Sequence, residues 1–338
     1  MNTIVGLLLA VGLGSFLITG MIRRYALWRS VLDVPNARSS HTVPTPRGGG
    51  VAIVCMYLLA LAVLWKAGEM DGRFFIGLSG AGLLVAVIGF VDDHRHIPAR
   101  WRLAGHLAAA IWALLWLDGL PVIVLGGIAV GASWVLLPIA ILYLAWLLNL
   151  YNFMDGIDGI AGIEAIVVCL AMCVIYAVGG HADAGIEPLL LAAAVAGFLV
   201  WNFPPARIFM GDAGSGFLGI TLGVLSIQGA WLDPAYFWAW IILLGVFIVD
   251  ATVTLLRRLF NGEKVYEAHR SHAYQYAARD AGRHLPVTLA VAVITMCWLA
   301  PVALCVTVFR LDGLLGTLIA YCPLIALSLK YRAGQPEA

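Results

Sequence analysis

Two carboxylates and an amide recur at every third position where a long apolar run ends. If the helix continues through this segment, Asn152, Asp155 and Asp158 share one face. Gly156 and Gly159 leave room for a ligand or another backbone to come close. Acids at the end of a hydrophobic span are costly unless they meet a cation, water or a charged ligand. A solvated helix end explains one such Asp, but three polar residues in register between glycines indicate a site.

Three further acids lie at the ends of other apolar runs. Asp92 and Asp93 are adjacent, so their charges repel unless a cation is present, and such pairs hold Mg²⁺ or do base chemistry on phosphate. Asp212 lies in a glycine-rich turn just before a helix, beside backbone N–H groups that suit a metal bound to phosphates. A simple helix cap explains Asp212 equally well.

Arginines accompany these acids. Pro44 and Pro46 hold the chain extended before Arg47, and three glycines follow, as in an anion-binding rim or in a linker that enters a helix. Arg100 and Arg102 begin the next apolar run. They either follow the usual charge bias of membrane proteins or bind a diphosphate beside the carboxylates.

Two later features are weaker signals on their own. A long polar loop contains His269, Arg270 and His272 with aromatic neighbours, which suits the mouth of a substrate site. Asp250 lies inside an apolar run, where an acid is a site candidate by default and an ion pair with an interior arginine is the alternative.

The elements that must position these residues are membrane helices. The 338 residues are 62% hydrophobic and 12% charged, with a mean hydropathy of +0.95, which excludes a soluble domain. No basic footprint for nucleic acid is present, and the six cysteines all lie in apolar runs as small hydrophobic residues. We predict an all-α polytopic protein, a single membrane domain over 1–338, with about eleven spans near 3–22, 48–65, 74–91, 103–117, 134–151, 160–178, 188–203, 214–232, 236–256, 287–309 and 314–329.

Charge alternates between the connecting loops. Of the 20 lysines and arginines, 17 fall in one set of loops and 3 in the other. The positive-inside rule therefore predicts an outside N-terminus, a cytoplasmic C-terminus and all the polar clusters on the cytoplasmic face. The segment 118–133 is predicted outside, as a short hairpin without chemistry.

Acids, arginines and glycine turns on one face suit a divalent cation, a diphosphate donor from the cytosol and an acceptor from the bilayer. Phosphoryl transfer needs mainly positioning and charge neutralisation. The competing class is a lipid or nucleotide-sugar transporter that couples to cations. Such a transporter would place its acids near the midplane, among interrupted helices.

The ordered motifs resemble one family over nearly the whole chain. In order they are Pro44-Thr-Pro-Arg-Gly-Gly-Gly, Val91-Asp-Asp, Asn152-Phe-Met-Asp-Gly-Ile-Asp-Gly, Phe209-Met-Gly-Asp-Ala-Gly-Ser and a late histidine-containing loop. This set resembles the polyprenyl-phosphate N-acetylhexosamine-1-phosphate transferases, the WecA/MraY-type superfamily of glycosyltransferase family 4. The resemblance implies transfer of a sugar 1-phosphate from a UDP-N-acetylhexosamine to undecaprenyl phosphate, with release of UMP, in the bacterial inner membrane.

The resemblance also implies roles for single residues. It places Asp212 and Asn152 as ligands of Mg²⁺, for which Mn²⁺ can substitute. It places the remaining residues in two sets: catalytic, Asp92, Asp93, Asp155, His269 and His272; substrate-binding, Arg47, Arg100, Arg102, Asp158 and Arg270.

The late loop reads His-Arg-Ser-His, whereas the muramoyl-pentapeptide branch typically has a run of histidines. It looks more like the branch that starts O-antigen or related polysaccharides with GlcNAc, QuiNAc or FucNAc phosphate, so the muramoyl-pentapeptide transferase is the rival within the enzyme class. A homodimer is compatible with the resemblance.

Overall fold

The computed structural model describes residues 2–29, 32–35, 43–95, 97–117, 119–131, 136–263 and 270–335. About 77% of the chain is helical. The elements up to the middle of the chain are α1 Asn2–Arg29, β1 Leu32–Asp33, β2 Thr45–Pro46, α2 Gly50–Lys66, α3 Gly72–His94, α4 Ala99–Trp116, β3 Ile123–Leu125, β4 Ile128–Val130 and α5 Leu136–Met154. Strands β1 and β2 pair antiparallel, as do β3 and β4. The β3–β4 pair confirms the hairpin predicted within 118–133.

The second half is helical throughout. Its elements are α6 Ile160–Val178, a 3₁₀ turn Ala182–Gly185, α7 Ile186–Asn202, α8 Asp212–Leu232, α9 Pro234–Leu243, α10 Gly245–Phe260, α11 Ala273–Ala281, α12 Leu285–Ile294, a π-helical segment Thr295–Leu299, α13 Ala300–Thr307 and α14 Gly313–Lys330.

Each of the eleven predicted apolar spans contains a helix. In the described part of the chain, eight helical stretches are long and apolar enough to cross a membrane, or nine if α9 and α10 form one bent span. The protein is therefore a polytopic α-helical membrane protein. Helix α2 has only 17 residues, and α4 begins with two arginines. The total of eleven and the orientation stay predictions.

The ninth predicted span is not one straight helix. Helices α9 and α10 meet at an angle of 68°. A straight helix would pair the carbonyl of Ile241 with the amide of Gly245. Instead the Tyr321 hydroxyl donates to that carbonyl at 2.7 Å, and the missing side chain of Gly245 lets the Tyr321 ring lie against the break. Helix α14 thus satisfies the backbone at the bend.

Helix α8 is the centre of the bundle. It is 83% buried, and it packs against α2, α3, α5 and α9. The packing is close because glycines face one another: a Cβ on Gly50 would lie 2.4 Å from the Cα of Gly214. Small residues allow this approach in membranes, where packing rather than the hydrophobic effect joins helices. The N-terminus of α8, which carries Asp212, is thereby fixed against the ends of α2 and α3.

Candidate functional site

The predicted glycine-rich rim and the start of α8 are joined through their backbones. The amide of Phe209 donates to the carbonyl of Pro46 at 2.8 Å, and the amides of Gly49 and Gly50 donate to Phe209 and Met210 at 2.9 and 2.8 Å. Gly211, at φ +80°, then turns the chain into α8. Two segments far apart in sequence are thus paired like short strands, which places Arg47 beside Asp212.

Arg47 bridges two of the predicted acids. Its Nε lies 3.0 Å from Asp93 Oδ1, and its Nη2 donates to Asp212 Oδ1. Burial alone would lower the pKa of Arg47, but the carboxylates of Asp212 and Asp93 raise it above its usual value. The guanidinium therefore remains charged, and it neutralises acids that would otherwise repel one another.

Asp93 also caps α8. Its carboxylate accepts from the amides of Asp212 and Ala213 at 3.0 and 3.4 Å, and its side chain is only 4% exposed. Helix N-termini attract negative charge because their first amides have no partner within the helix. Asp93 thus fixes the end of α3 to the start of α8.

Arg102 forms the other side of the cluster. Its Nη1 donates to Asp92 Oδ2 and lies 3.5 Å from Asp212 Oδ2, while the amide of Ile97 donates to Asp92 Oδ1 at 2.7 Å. Both carboxylate oxygens of Asp212 therefore face a guanidinium. Arg100, by contrast, is exposed, and its guanidinium lies 5.8 Å from the centre of the Trp101 ring, outside these contacts.

Asn152 lies near Asp212, because both residues line the same small cavity of about 10 Å³. Asp92, Arg102 and His106 also line it. Carboxylate and amide oxygens are the ligands that Mg²⁺ prefers, and Mg²⁺ commonly takes one or two protein ligands and completes its shell with water and substrate phosphate. The oxygens of Asp212 and Asn152 fit that pattern.

The helical face predicted for Asn152, Asp155 and Asp158 is wrong, because the helix does not continue. Helix α5 ends at Met154, and Gly159 adopts φ +74° just before α6 begins. Asp155 and Asp158 therefore lie in a turn, where they face different neighbours.

Asp155 lies nearer the main cluster. Burial raises the pKa of Asp155 well above its usual range. The charges of Asp212, Asp93 and Asp158 raise this pKa further, and Arg47 opposes them. Burial and the neighbouring carboxylates thus act together against ionisation of this carboxyl.

Asp158 faces a second, larger cavity. Its Oδ2 accepts from the amide of Ala206 at 3.0 Å and lies 3.2 Å from His284 Nδ1. The cavity of about 510 Å³ beside it has a volume suited to a small-molecule ligand, and it is lined by Asp158, Thr45, Phe209, Arg283 and His284 among others. The sequence analysis missed His284, which has no motif around it.

The late loop is only partly described. His269 lies outside the described residues. Arg270 lines a third cavity, of about 210 Å³, with Arg279, Arg283 and His284. The two larger cavities share Gly282, Arg283 and His284, so they adjoin one another.

His272 was predicted to lie at the mouth of a substrate site, whereas the structure buries it at the start of α11. It is 2% exposed and caps α11, and its Nδ1 lies 3.3 Å from Asp250 Oδ1. Asp250 also accepts from the amides of Ala273 and Tyr274, both at 2.9 Å. Asp250 thus holds the start of α11, and within the described residues its recorded ion-pair partner is His272, not an interior arginine. The Tyr274 hydroxyl donates to the carbonyl of Phe153 at 3.0 Å, which joins α11 to the turn that carries Asp155.

Comparison with known proteins indicates what the chain is similar to. The model of glycosyl transferase family 4 matches residues 75–230, which include Asp92, Asp93, Asn152 and Asp212 but not Arg47 or the late loop.

Curated relatives match more of the chain. A probable undecaprenyl-phosphate N-acetylglucosaminyl 1-phosphate transferase of Bacillus subtilis is 29% identical over 76% of this chain and 72% of its own length. The decaprenyl-phosphate N-acetylglucosaminephosphotransferase of Mycobacterium leprae is 28% identical over 81% of this chain and 77% of its own. A phospho-N-acetylmuramoyl-pentapeptide-transferase of Moorella thermoacetica is 37% identical over 54% of this chain and 61% of its own. In its motifs, its helical membrane fold and these matches, the chain is similar to glycosyl transferase family 4, the WecA/MraY-type superfamily.

Proposed function

We propose that this protein transfers an N-acetylhexosamine 1-phosphate from a UDP-sugar to undecaprenyl phosphate in the bacterial inner membrane, which gives undecaprenyl-diphospho-sugar and UMP. The observation that carries the proposal is the cluster of Arg47 and Arg102 around Asp212 at the end of the bundle. Two guanidinium groups beside a helix N-terminus suit a diphosphate. Membrane helices around them give access to a lipid acceptor.

The reaction is a direct displacement at phosphorus. An oxygen of the lipid phosphate forms a bond to the β-phosphorus of the donor, and the bond from that phosphorus to the bridging oxygen of UMP breaks. Asp212 and Asn152 would hold Mg²⁺, which would neutralise charge on the diphosphate when bound. Arg47 and Arg102 turn from Asp212 to the phosphate oxygens, while Asp93 and Asp92 keep the two guanidinium groups in place.

The larger cavity suits the rest of the donor. Asp158, Phe209 and Thr45 offer a hydrogen-bonding group, an aromatic ring and a hydroxyl around about 510 Å³. Asp155 interacts electrostatically both with Arg47 and with Asp158, which lines this cavity. Arg270 in the adjoining basic cavity is placed to reach an anionic part of the donor.

The donor is proposed to be a GlcNAc, QuiNAc or FucNAc derivative used to start a cell-surface polysaccharide such as O-antigen. The names of the Bacillus and Mycobacterium relatives support GlcNAc phosphate transfer. The 37% identity to the Moorella protein keeps muramoyl-pentapeptide phosphate as the second candidate.

The test uses purified protein in detergent with Mg²⁺, undecaprenyl phosphate and each of the four UDP-sugars, and it measures both UMP and lipid-linked product. We expect one donor to release UMP with matching lipid product and EDTA to abolish the reaction. Asp212→Ala should lower turnover by about a hundredfold or more, the order found when one preorganised electrostatic contact is removed. Asp183→Ala, at an exposed acid outside the clusters, is the matched control. Movement of a nucleotide sugar or lipid across vesicles without UMP release would favour the transporter instead.

A further inference from the structure

His106 is a buried histidine to which no role has been given. It follows Arg102 by one turn of α4, so both side chains lie on the same face of that helix. It is 5% exposed, and it lines the small cavity that Asp92, Asn152 and Asp212 also line. Arg102 also lines it, and the apolar part of the wall is formed by Val85, Ile88 and Leu148.

One nitrogen of this imidazole lacks a partner. His106 Nδ1 is buried, and no described residue forms a hydrogen bond with it. A neutral imidazole has one donor and one acceptor nitrogen, so Nδ1 needs a hydrogen-bond partner in either tautomer. Buried polar atoms rarely stay unsatisfied in native proteins.

The cavity has the size and polarity of a site for one water molecule. Its volume is about 10 Å³, near the lower limit for a single water, and such a water needs two to four polar partners. The polar residues that line the cavity are His106, Asn152, Asp212, Asp92 and Arg102. His106 has the one side-chain atom among them that is buried without a partner in the described residues.

We propose that this cavity binds one ordered water, which joins His106 to the oxygens of Asn152 and Asp212 and makes His106 a positioning residue for them. Groups that hold metal ligands in place through hydrogen bonds commonly change metal affinity by about 10- to 100-fold when they are removed. The inference rests on the metal-binding part of the proposed function, and it does not depend on which sugar is transferred.

The first measurement is the affinity of the purified protein for Mn²⁺, followed by electron paramagnetic resonance without donor or lipid. We expect His106→Leu to weaken Mn²⁺ binding by about tenfold or more. His106→Gln, which keeps a hydrogen-bonding group, should stay within about threefold of the native protein, since the water keeps its partner. His94→Leu is the matched control, because it removes an exposed imidazole next to Asp93 and leaves the cavity intact.

The second measurement separates positioning from direct ligation and from folding. Electron spin-echo spectra of bound Mn²⁺ should show no directly coordinated nitrogen, and the melting temperatures of the Leu and Gln variants should agree. A high-resolution structure should show a water at about 3 Å from His106 Nδ1.

Native Mn²⁺ affinity in His106→Leu, a directly bound nitrogen, or a native protein that binds no Mn²⁺ would each overturn the inference. Failure to release UMP from any donor, with Mn²⁺ binding and its dependence on His106 intact, would overturn the proposed function alone.

Discussion

At the scale of single residues, the carboxylate of Asp93 makes more contacts within the protein than a general base needs. Two backbone amides and Arg47 already engage its carboxylate. A phosphate monoester has a second pKa of about 6, so a lipid phosphate is mostly dianionic near pH 7.5 and needs no base to attack. The geometry therefore favours a role in which Asp93 holds Arg47 and the start of α8.

This role gives a prediction for Asp93→Asn. The amide can still accept one backbone hydrogen bond, but it loses the charge that holds Arg47. We expect kcat to fall by about ten- to a hundredfold, since an ion pair that orients a phosphate-binding group is lost. The acid limb of the kcat/KM profile against pH should keep its midpoint. A midpoint that moves in Asp93→Asn and not in Asp92→Asn would restore the base role.

Asp155 gives a prediction about stability. Its pKa is raised in the folded protein, so the unfolded chain releases this proton at a lower pH than the native protein does. The neutral carboxyl contributes its full share to the free energy of unfolding below about pH 4, the pKa of a free Asp. This contribution is lost as the pH rises from there through the pKa of Asp155 in the folded protein. Within that window the loss reaches about 1.4 kcal/mol per pH unit.

Asp155→Asn removes the titration but keeps a neutral group of similar size. We expect its melting temperature without donor to exceed that of the native protein at pH 8, and the difference should shrink steadily toward pH 4. Thermal denaturation in detergent across this range measures it. A difference that is constant with pH would contradict the assignment of the raised pKa to Asp155.

At the scale of elements, the acid cluster depends on how closely α3 approaches α8. A Cβ on Gly89 would lie 2.5 Å from backbone atoms of Asp212 and Ala213, which cannot move aside as a flexible side chain could. Gly89→Ala should therefore separate Asp93 from the amides that it caps. We expect a loss of about 1–3 kcal/mol in stability, as for other overpacked sites, together with a loss of turnover.

The matched control for this prediction is Gly6→Ala in α1. A Cβ at Gly6 would meet no atom within 4 Å. This variant should be neutral or slightly stabilising, because alanine favours a helix more than glycine does. Equal melting temperatures and activities in the two variants would show that the α3–α8 contact does not set the cluster.

The sequence predicted which polar residues lie at the ends of helices better than it predicted how the chain turns there. Arg47, Asp93 and Asp212 come together as expected. Arg47 and Asp212 lie where apolar runs begin and Asp93 lies where one ends, and successive spans of alternating direction bring these ends to one face. The shared face of Asn152, Asp155 and Asp158 was wrong because α5 ends at Met154, and the turn that follows it to the left-handed Gly159 depends on contacts with distant residues. The burial of His272 and the bend between α9 and α10 depend on Asp250 and Tyr321, distant residues that local spacing does not reveal.

At the scale of the whole molecule, the distribution of lysines and arginines among the loops predicts which side of the membrane each loop faces. In a background without the six native cysteines, a membrane-impermeant maleimide should label Ala129→Cys, in the exposed β3–β4 hairpin, in intact cells. Asn261→Cys, just after α10, should react only after the membrane is broken. Reaction of both in intact cells, or the reverse pattern, would reject the predicted orientation.

The two guanidinium groups on Asp212 also have a thermodynamic consequence. A cation that takes the oxygens of Asp212 must displace Arg47 and Arg102, and a diphosphate gives both arginines new partners. Whichever ligand binds first breaks the contacts between Asp212 and the two arginines, so the second ligand binds without that free-energy cost. Cation and nucleotide should therefore bind with positive coupling. By thermodynamic reciprocity, each strengthens the binding of the other by the same factor. A typical coupling of 5- to 150-fold would appear as tighter Mn²⁺ binding in the presence of UDP. Without ligands, the charges of Asp212, Arg47 and Arg102 neutralise one another. The site is then selective for the cation and the diphosphate together over either one alone.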